Sequence, residues 1–129
     1  MRFLLVLARS AIGGVILGWV FAHLSFVLPV RRLRETKTLL AFHHPQPSYP
    51  VHILLVPKRA LHSFTDLTVA DSALISEIIQ TAQSLIAEFN LERSGYRLIV
   101  NGGDYQAVPQ LHFHLISERE SAPPAAVEE

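Results

Sequence analysis

The segment 107–117, AVPQLHFHLIS, sets Gln110, His112 and His114 at alternate positions. Strand side chains change face at every residue, so these three share one side while Leu111, Phe113 and Leu115 take the other. The apolar row reads as core. The opposite row offers an amide and two imidazoles, whose charge changes near neutral pH. A neutral imidazole can attack phosphorus and form an adduct reactive enough to be hydrolysed, while a neighbouring N–H steadies the phosphoryl oxygens. Two other uses of the pair stand beside this one. Strand histidines can hydrogen-bond and do no chemistry, and H-x-H can supply two zinc ligands, with His52 or His44 completing the set. No carboxylate stands near in sequence to help such a metal, and no metal or other cofactor is expected.

The elements that must position these rings follow from periodicity. KTLLAF (37–42) reads as a short strand, and HHPQPSYP (43–50) as a loop stiffened by Pro45, Pro47 and Pro50. VHILLVP (51–57) is nearly continuous apolar sequence, which suits a central strand. Thr68 and Asp71 have capping-box spacing. Behind them Leu74, Ile75, Ile78, Ile79, Ala82, Leu85, Ile86 and Phe89 recur at helical spacing as a core stripe, with Asn90 and Gly95 as stopping points. YRLIV (96–100) is a further strand, NGGDYQAVP (101–109) a turn, and QLHFHLIS (110–117) the last strand. The order predicts an α+β domain: an antiparallel sheet backed by one long helix.

Composition narrows the partners. The chain has 129 residues, equal numbers of acidic and basic side chains, and no cysteine. Disulfides, thiolate nucleophiles and cysteine-bound zinc are therefore excluded. From residue 31 onward acids slightly outnumber bases, so no nucleic-acid surface is implied. The stretch FLLVLARSAIGGVILGWVFAHLSFVLP (3–29) is different in kind. Ala11 to Pro29 carries no charge and as a helix would reach roughly 28 Å, about one hydrocarbon thickness. It reads as a single transmembrane helix ending at VLPVRRLRE, which has the look of a stop and not of a cleavage site. Arg31, Arg32, Arg34 and Lys37 outnumber Arg2 and Arg9, which puts the C-terminal domain in the cytoplasm. The domain organisation expected is an anchor over 1–30, a folded domain over 31–117 and a polar, Pro/Ala-rich tail over 118–129.

Taken together, LLAFHHPQPSYPVHILLVPKRALHSFTDL (39–67) and YRLIVNGG…QAVPQLHFHL resemble the histidine triad (HIT) family, in its nucleotide-binding phosphoramidase branch, from about Thr36 to Ser117. The family motif alternates three histidines with apolar residues, and here it reads Gln110-Leu111-His112-Phe113-His114-Leu115-Ile116. The resemblance implies a five-stranded antiparallel sheet with helices, and a purine nucleotide or nucleotide conjugate as ligand. It implies that His112 is the nucleophile toward the phosphorus of a nucleoside monophosphate in phosphoramidate, thioester, anhydride or adenylate linkage. His114 matches the residue that contacts the phosphate and helps the leaving group depart, and His52 the histidine packed behind it. Asn101 matches the amide bordering the phosphate pocket, Phe42 a wall of the base pocket, and His44, Gln106 and Gln110 further nucleotide contacts.

This sequence also departs from the family pattern. Gln110 stands in place of the first histidine, His44 in place of an acid that binds ribose hydroxyls, and Ala107 in place of a serine that donates to the phosphate. Tyr105 occupies a glycine position, and the tail is unlike the family's pocket-closing extension. Two functions follow as expectations: a membrane-anchored nucleotide hydrolase or transferase working through a nucleotidyl-His112 intermediate, or a non-catalytic accessory subunit of a larger membrane complex. The family branch forms two-fold dimers, so a homodimer is the further partner implied.

Overall fold

VHILLVP becomes the middle of the sheet because it is apolar on both faces, and a strand buried on both sides needs no polar row. The computed structural model describes residues 32–119; the apolar stretch read as a membrane span and most of the tail lie outside them. Among the described residues no helix is long and apolar enough to cross a membrane. The strands are β1 (Arg32–Glu35), β2 (Leu39–His43), β3 (Val51–Pro57), β4 (Arg97–Val100) and β5 (Phe113–Ser117). They form one antiparallel sheet in the order β1-β2-β3-β5-β4. The α+β architecture expected from the sequence is the one observed.

One long helix, α1 (Ser72–Glu88), covers one face of this sheet. Its Leu74, Ile78, Ala82, Leu85 and Ile86 meet Leu39, Ala41, Val51, Ile53, Leu55, Leu111, Phe113 and Leu115 in the main core. The start is fixed as the sequence suggests. The Thr68 hydroxyl accepts from the Ala70 amide, and the Asp71 carboxylate accepts from the Thr68 amide at 2.9 Å. Asp71 also holds Arg59 at 2.7 Å, which ties this turn to the chain leaving β3. Both expected stopping points are used. Asn90 takes the left-handed conformation after α1, a short helix α2 (Leu91–Ser94) follows, and Gly95 at φ +99° releases the chain into β4.

Three details differ from the sequence reading. Strand β1 lies where only membrane-flanking cations were expected. Arg32 pairs with Glu35 at 3.0 Å, and Arg34 crosses to Glu88 and Ser84 on α1. Strand β2 begins at Leu39 and not at Lys37, because the Thr36 hydroxyl accepts from the amides of Thr38 and Leu39 and holds them in a turn. Ile79 belongs to the apolar stripe of α1 by spacing, yet it lies on the stripe's flank and is half exposed.

Two substitutions test this account. Leu85→Ala empties a fully buried position of the main core and should cost about 2–5 kcal/mol. Thr68→Ala removes the helix-start cap and should cost about 1 kcal/mol. Urea midpoints measured at an unchanged m-value give both figures.

Candidate active site

Strands β3 and β5 lie side by side with Leu54 opposite His114 and His52 opposite Ile116. That register places His52 and His114 diagonally on the face turned away from α1. Their rings meet, with His52 Nε2 3.0 Å from His114 Nδ1. His44 lies one residue past β2. Its amide donates to the His52 carbonyl at 2.8 Å, which lays its ring over that of His52 with centroids 4.3 Å apart. Tyr49 stands edge-on to His52 from the proline-rich loop. His112, just before β5, sits edge-on to His114 at 4.9 Å. Four imidazoles from three segments thus form one connected line of ring contacts that bends sharply at His52, since the rings of His44 and His114 are only 6.4 Å apart.

Backbone groups settle which nitrogen of each ring carries its proton. The Ser48 amide donates to His52 Nδ1 at 3.1 Å, so neutral His52 holds its proton on Nε2 and gives it to His114 Nδ1. His114 then carries its own proton on Nε2. The Gln46 amide donates to His44 Nδ1 at 2.9 Å, which likewise puts the His44 proton on Nε2. His112 is reversed. Its Nδ1 lies 2.7 Å from the Gln110 carbonyl, a group that only accepts, so Nδ1 is protonated and Nε2 keeps a free electron pair. Among the described residues nothing pairs with Nε2 of His44, His112 or His114, and none of these atoms is sealed from solvent. The line therefore presents one nucleophilic nitrogen and two N–H donors.

All four rings are held neutral near pH 7. Burial, then the neighbouring His44, lowers His52 to about 4. Burial, then His112, His52 and His44, lowers His114 to about 4. Burial and His112 lower His44 as well. For His112 burial outweighs the opposing effect of the Gln110 carbonyl, and the net shift is downward. Neutral rings are what nucleophilic attack requires, because a protonated His112 has no pair to offer.

The remaining residues singled out in the sequence fall into two groups. Asn101 follows Val100, which pairs with Phe113, and so flanks the chain where His112 enters β5. Phe42 lies on the histidine face in the row Phe42, Leu54, His114, Ile99, and it is buried against Leu40, Val56 and Leu54. Gln106 and Gln110 use their side chains elsewhere. The Gln106 amide bridges the carbonyls of His62 and Val108, and the fully buried Gln110 amide donates to those of Pro57 and Arg59. Strand β5 begins at Phe113, so Gln110 lies before it, and what it gives the histidine line is its main-chain carbonyl. His43 points to the other face, against Phe89, and His62 is an exposed loop residue outside the cluster. Sequence reasoning missed the amides of Gln46 and Ser48, since a main-chain N–H leaves no trace in residue type. A metal finds little here, because both nitrogens of His52 are spent on hydrogen bonds. Among the described residues no three His, Cys, Asp or Glu side chains are arranged to hold one.

Fold and site together define an α+β domain that carries a line of imidazoles on the sheet face opposite its helix. Residues 25–121 match the HIT domain, and the chain belongs to the HIT family. The match begins within the apolar stretch that the sequence reading assigned to the membrane. The chain is 33% identical over 95 residues to a HIT-like protein of Chlamydia pneumoniae, covering 72% of this chain and 86% of that one. It is 35% identical over 92 residues to an uncharacterized HIT-like protein of Rickettsia prowazekii, covering 69% and 77%. Among solved structures, a HIT family hydrolase from Legionella pneumophila superposes with a TM-score of 0.71 at 30% identity, covering 81% of this chain and 95% of that one.

The lowered imidazoles make stability depend on pH. Above about 6.5, folded and unfolded chains both hold these histidines neutral, and no penalty arises. As the pH falls below 6.5 the unfolded chain takes up protons that folded His52 and His114 refuse until about 4, so stability falls through that window. Thermal unfolding midpoints should drop between about pH 7 and about pH 5. The drop should be shallower in His52→Gln, which removes one of the two most shifted rings.

Proposed function

We propose that the chain is a nucleotide-binding hydrolase or nucleotidyl transferase that works through a covalent nucleotidyl-His112 intermediate. The observation that carries this reading is the 2.7 Å hydrogen bond from His112 Nδ1 to the Gln110 carbonyl, which leaves Nε2 unprotonated and, among the described residues, without a partner. Attack by that electron pair forms an N–P bond as the bond from phosphorus to the leaving group breaks. The imidazole becomes cationic, and the Gln110 carbonyl stabilises it through the retained Nδ1–H. His114 Nε2–H, on the ring whose centroid is 4.9 Å from that of His112, is a donor suited to a phosphoryl oxygen or to supplying the leaving group with its proton. Water then attacks phosphorus, restores His112 and releases the nucleoside monophosphate; another acceptor in its place makes the reaction a transfer.

Family membership supports the nucleotide as ligand, and the solved relative described as a hydrolase supports the reaction class. Asn101, beside the point where His112 enters β5, is suited to the phosphate. In this reading the uncharged run from Ala11 to Pro29 tethers the domain to a bilayer, with the domain on the cytoplasmic side.

Purified chain should cleave an adenosine phosphoramidate to AMP. His112→Ala should abolish turnover with an unchanged thermal midpoint, and His114→Ala should slow it by about 10²–10⁴-fold. Rapid acid quench with radiolabelled substrate should trap labelled protein in the wild type and none in His112→Ala. Undiminished turnover in the alanine variant would overturn the mechanism. Nucleotide binding with no turnover in the wild type would leave the non-catalytic accessory role.

A further inference from the structure

The ladder between β4 and β5 ends at Arg97 opposite Ile116. Beyond that pair the two chains part, because Gly95 at φ +99° links one of them to α2 while Ser117 stays with Val51 of β3. The parting leaves a hollow of about 270 Å³ between residues 94–97 on one side and 116–119 on the other. Nothing lies within 4 Å of the point where a side chain on Gly95 would begin. The hollow is at the opposite end of β5 from His112, and the reaction above makes no use of it.

Its lining is rich in donors that the chain does not use. Ser94 Oγ is buried and has no hydrogen-bond partner among the described residues, a costly state that a bound molecule can relieve. Ser117 Oγ accepts from the Arg119 amide at 3.3 Å, which leaves its own proton to give. The Arg119 guanidinium has no partner among the described residues. Arg97 spends one N–H on Glu118 at 2.8 Å, and both members of that pair are 63% exposed, so the pair is worth little and most of the guanidinium stays available. Glu118 is the one acid of the lining, set against two arginines. Guanidinium groups and hydroxyl protons together complement an oxyanion, and a phosphate, with more oxygens and more charge than a carboxylate, uses more of them. Sites for drug-sized ligands run to roughly 300–1,000 Å³, so this one suits a smaller guest.

We infer that the hollow between the ends of β4 and β5 is a binding site for a phosphate group, free or carried by a small organic molecule. Arg97, Arg119 and the hydroxyls of Ser94 and Ser117 hold it, and Glu118 orients Arg97 while limiting the affinity through its like charge. The site is separate from the histidine line and does not depend on the reaction proposed there.

Amide NMR of the full chain, titrated with inorganic phosphate at constant ionic strength and compared with chloride and acetate, tests it. The amides of Gly95, Tyr96, Ser117 and Glu118 should shift saturably, half complete at about 1 mM or below. Arg119→Gln and Ser94→Ala should each weaken this binding by about tenfold, and Glu118→Gln should tighten it. Ser94→Ala removes a hydroxyl that bonds nothing else among the described residues, so its thermal midpoint should match or exceed the wild type's. His112→Ala should bind phosphate here as the wild type does. Glycerol 3-phosphate separates the two sources: tighter binding than inorganic phosphate supports an organic phosphate, and equal or weaker binding supports the free ion. Shifts that grow without saturating, that fall only near Asn101 and His112, or that survive both weakening substitutions overturn the inference, as does tighter binding of acetate.

Discussion

The pairing of β3 with β5 is the constraint on which the site and the core both rest. Ile53 meets Leu115 and Leu55 meets Phe113 on the helix side, while Leu54 meets His114 and His52 meets Ile116 on the other. A slip of one residue would turn every side chain of a strand to the wrong face. The apolar residues on α1 leave no room for that, since Leu85 and Leu115 are both fully buried. The hydrophobic effect on one face therefore fixes the diagonal that brings His52 and His114 to 3.0 Å on the other. Chemistry on the outer face is positioned by packing on the inner one.

The same arrangement keeps the imidazoles neutral. Desolvation is the largest influence on all four rings, and neighbouring imidazoles add to it for three of them. Each ring nevertheless keeps at least one good hydrogen bond, which offsets the cost of burying a polar side chain. The result is a set of nitrogens with defined roles: pair-bearing at His112, proton-bearing at His114 and His44, and fully engaged at His52. No side chain outside the line is needed to establish those roles.

Much of this was legible in the sequence. The alternation in QLHFHLIS revealed the two faces of β5, the run VHILLVP a strand buried on both sides, and the Thr68–Asp71 spacing the start of α1. What stayed hidden has physical reasons. Strand β1 reads RLRE, with one apolar residue in four, and is held by its ladder to β2 and by Arg34 reaching α1. Nothing periodic announces such a strand. His44 was legible as a residue but not as a ring stacked on His52, because that contact needs the proline-rich loop to double back so that two main chains bond. Gln110 was legible as a polar residue beside two histidines, yet its amide turns to the end of β3. The apolar stretch before residue 30 lies outside the described residues.

That the protonation pattern is written by Gln46 N–H, Ser48 N–H and Gln110 C=O has an evolutionary consequence. Main-chain groups persist through almost any replacement, so positions 46 and 48 can drift in residue type without disturbing which nitrogens hold protons, whereas Gln110 is also held by its buried amide's bonds to the carbonyls of Pro57 and Arg59. Proline at 46 or 48 is the exception, because it removes the donor. A relay specified this way is buffered against mutation, and variation can accumulate around it while its polarity is inherited with the course of the backbone.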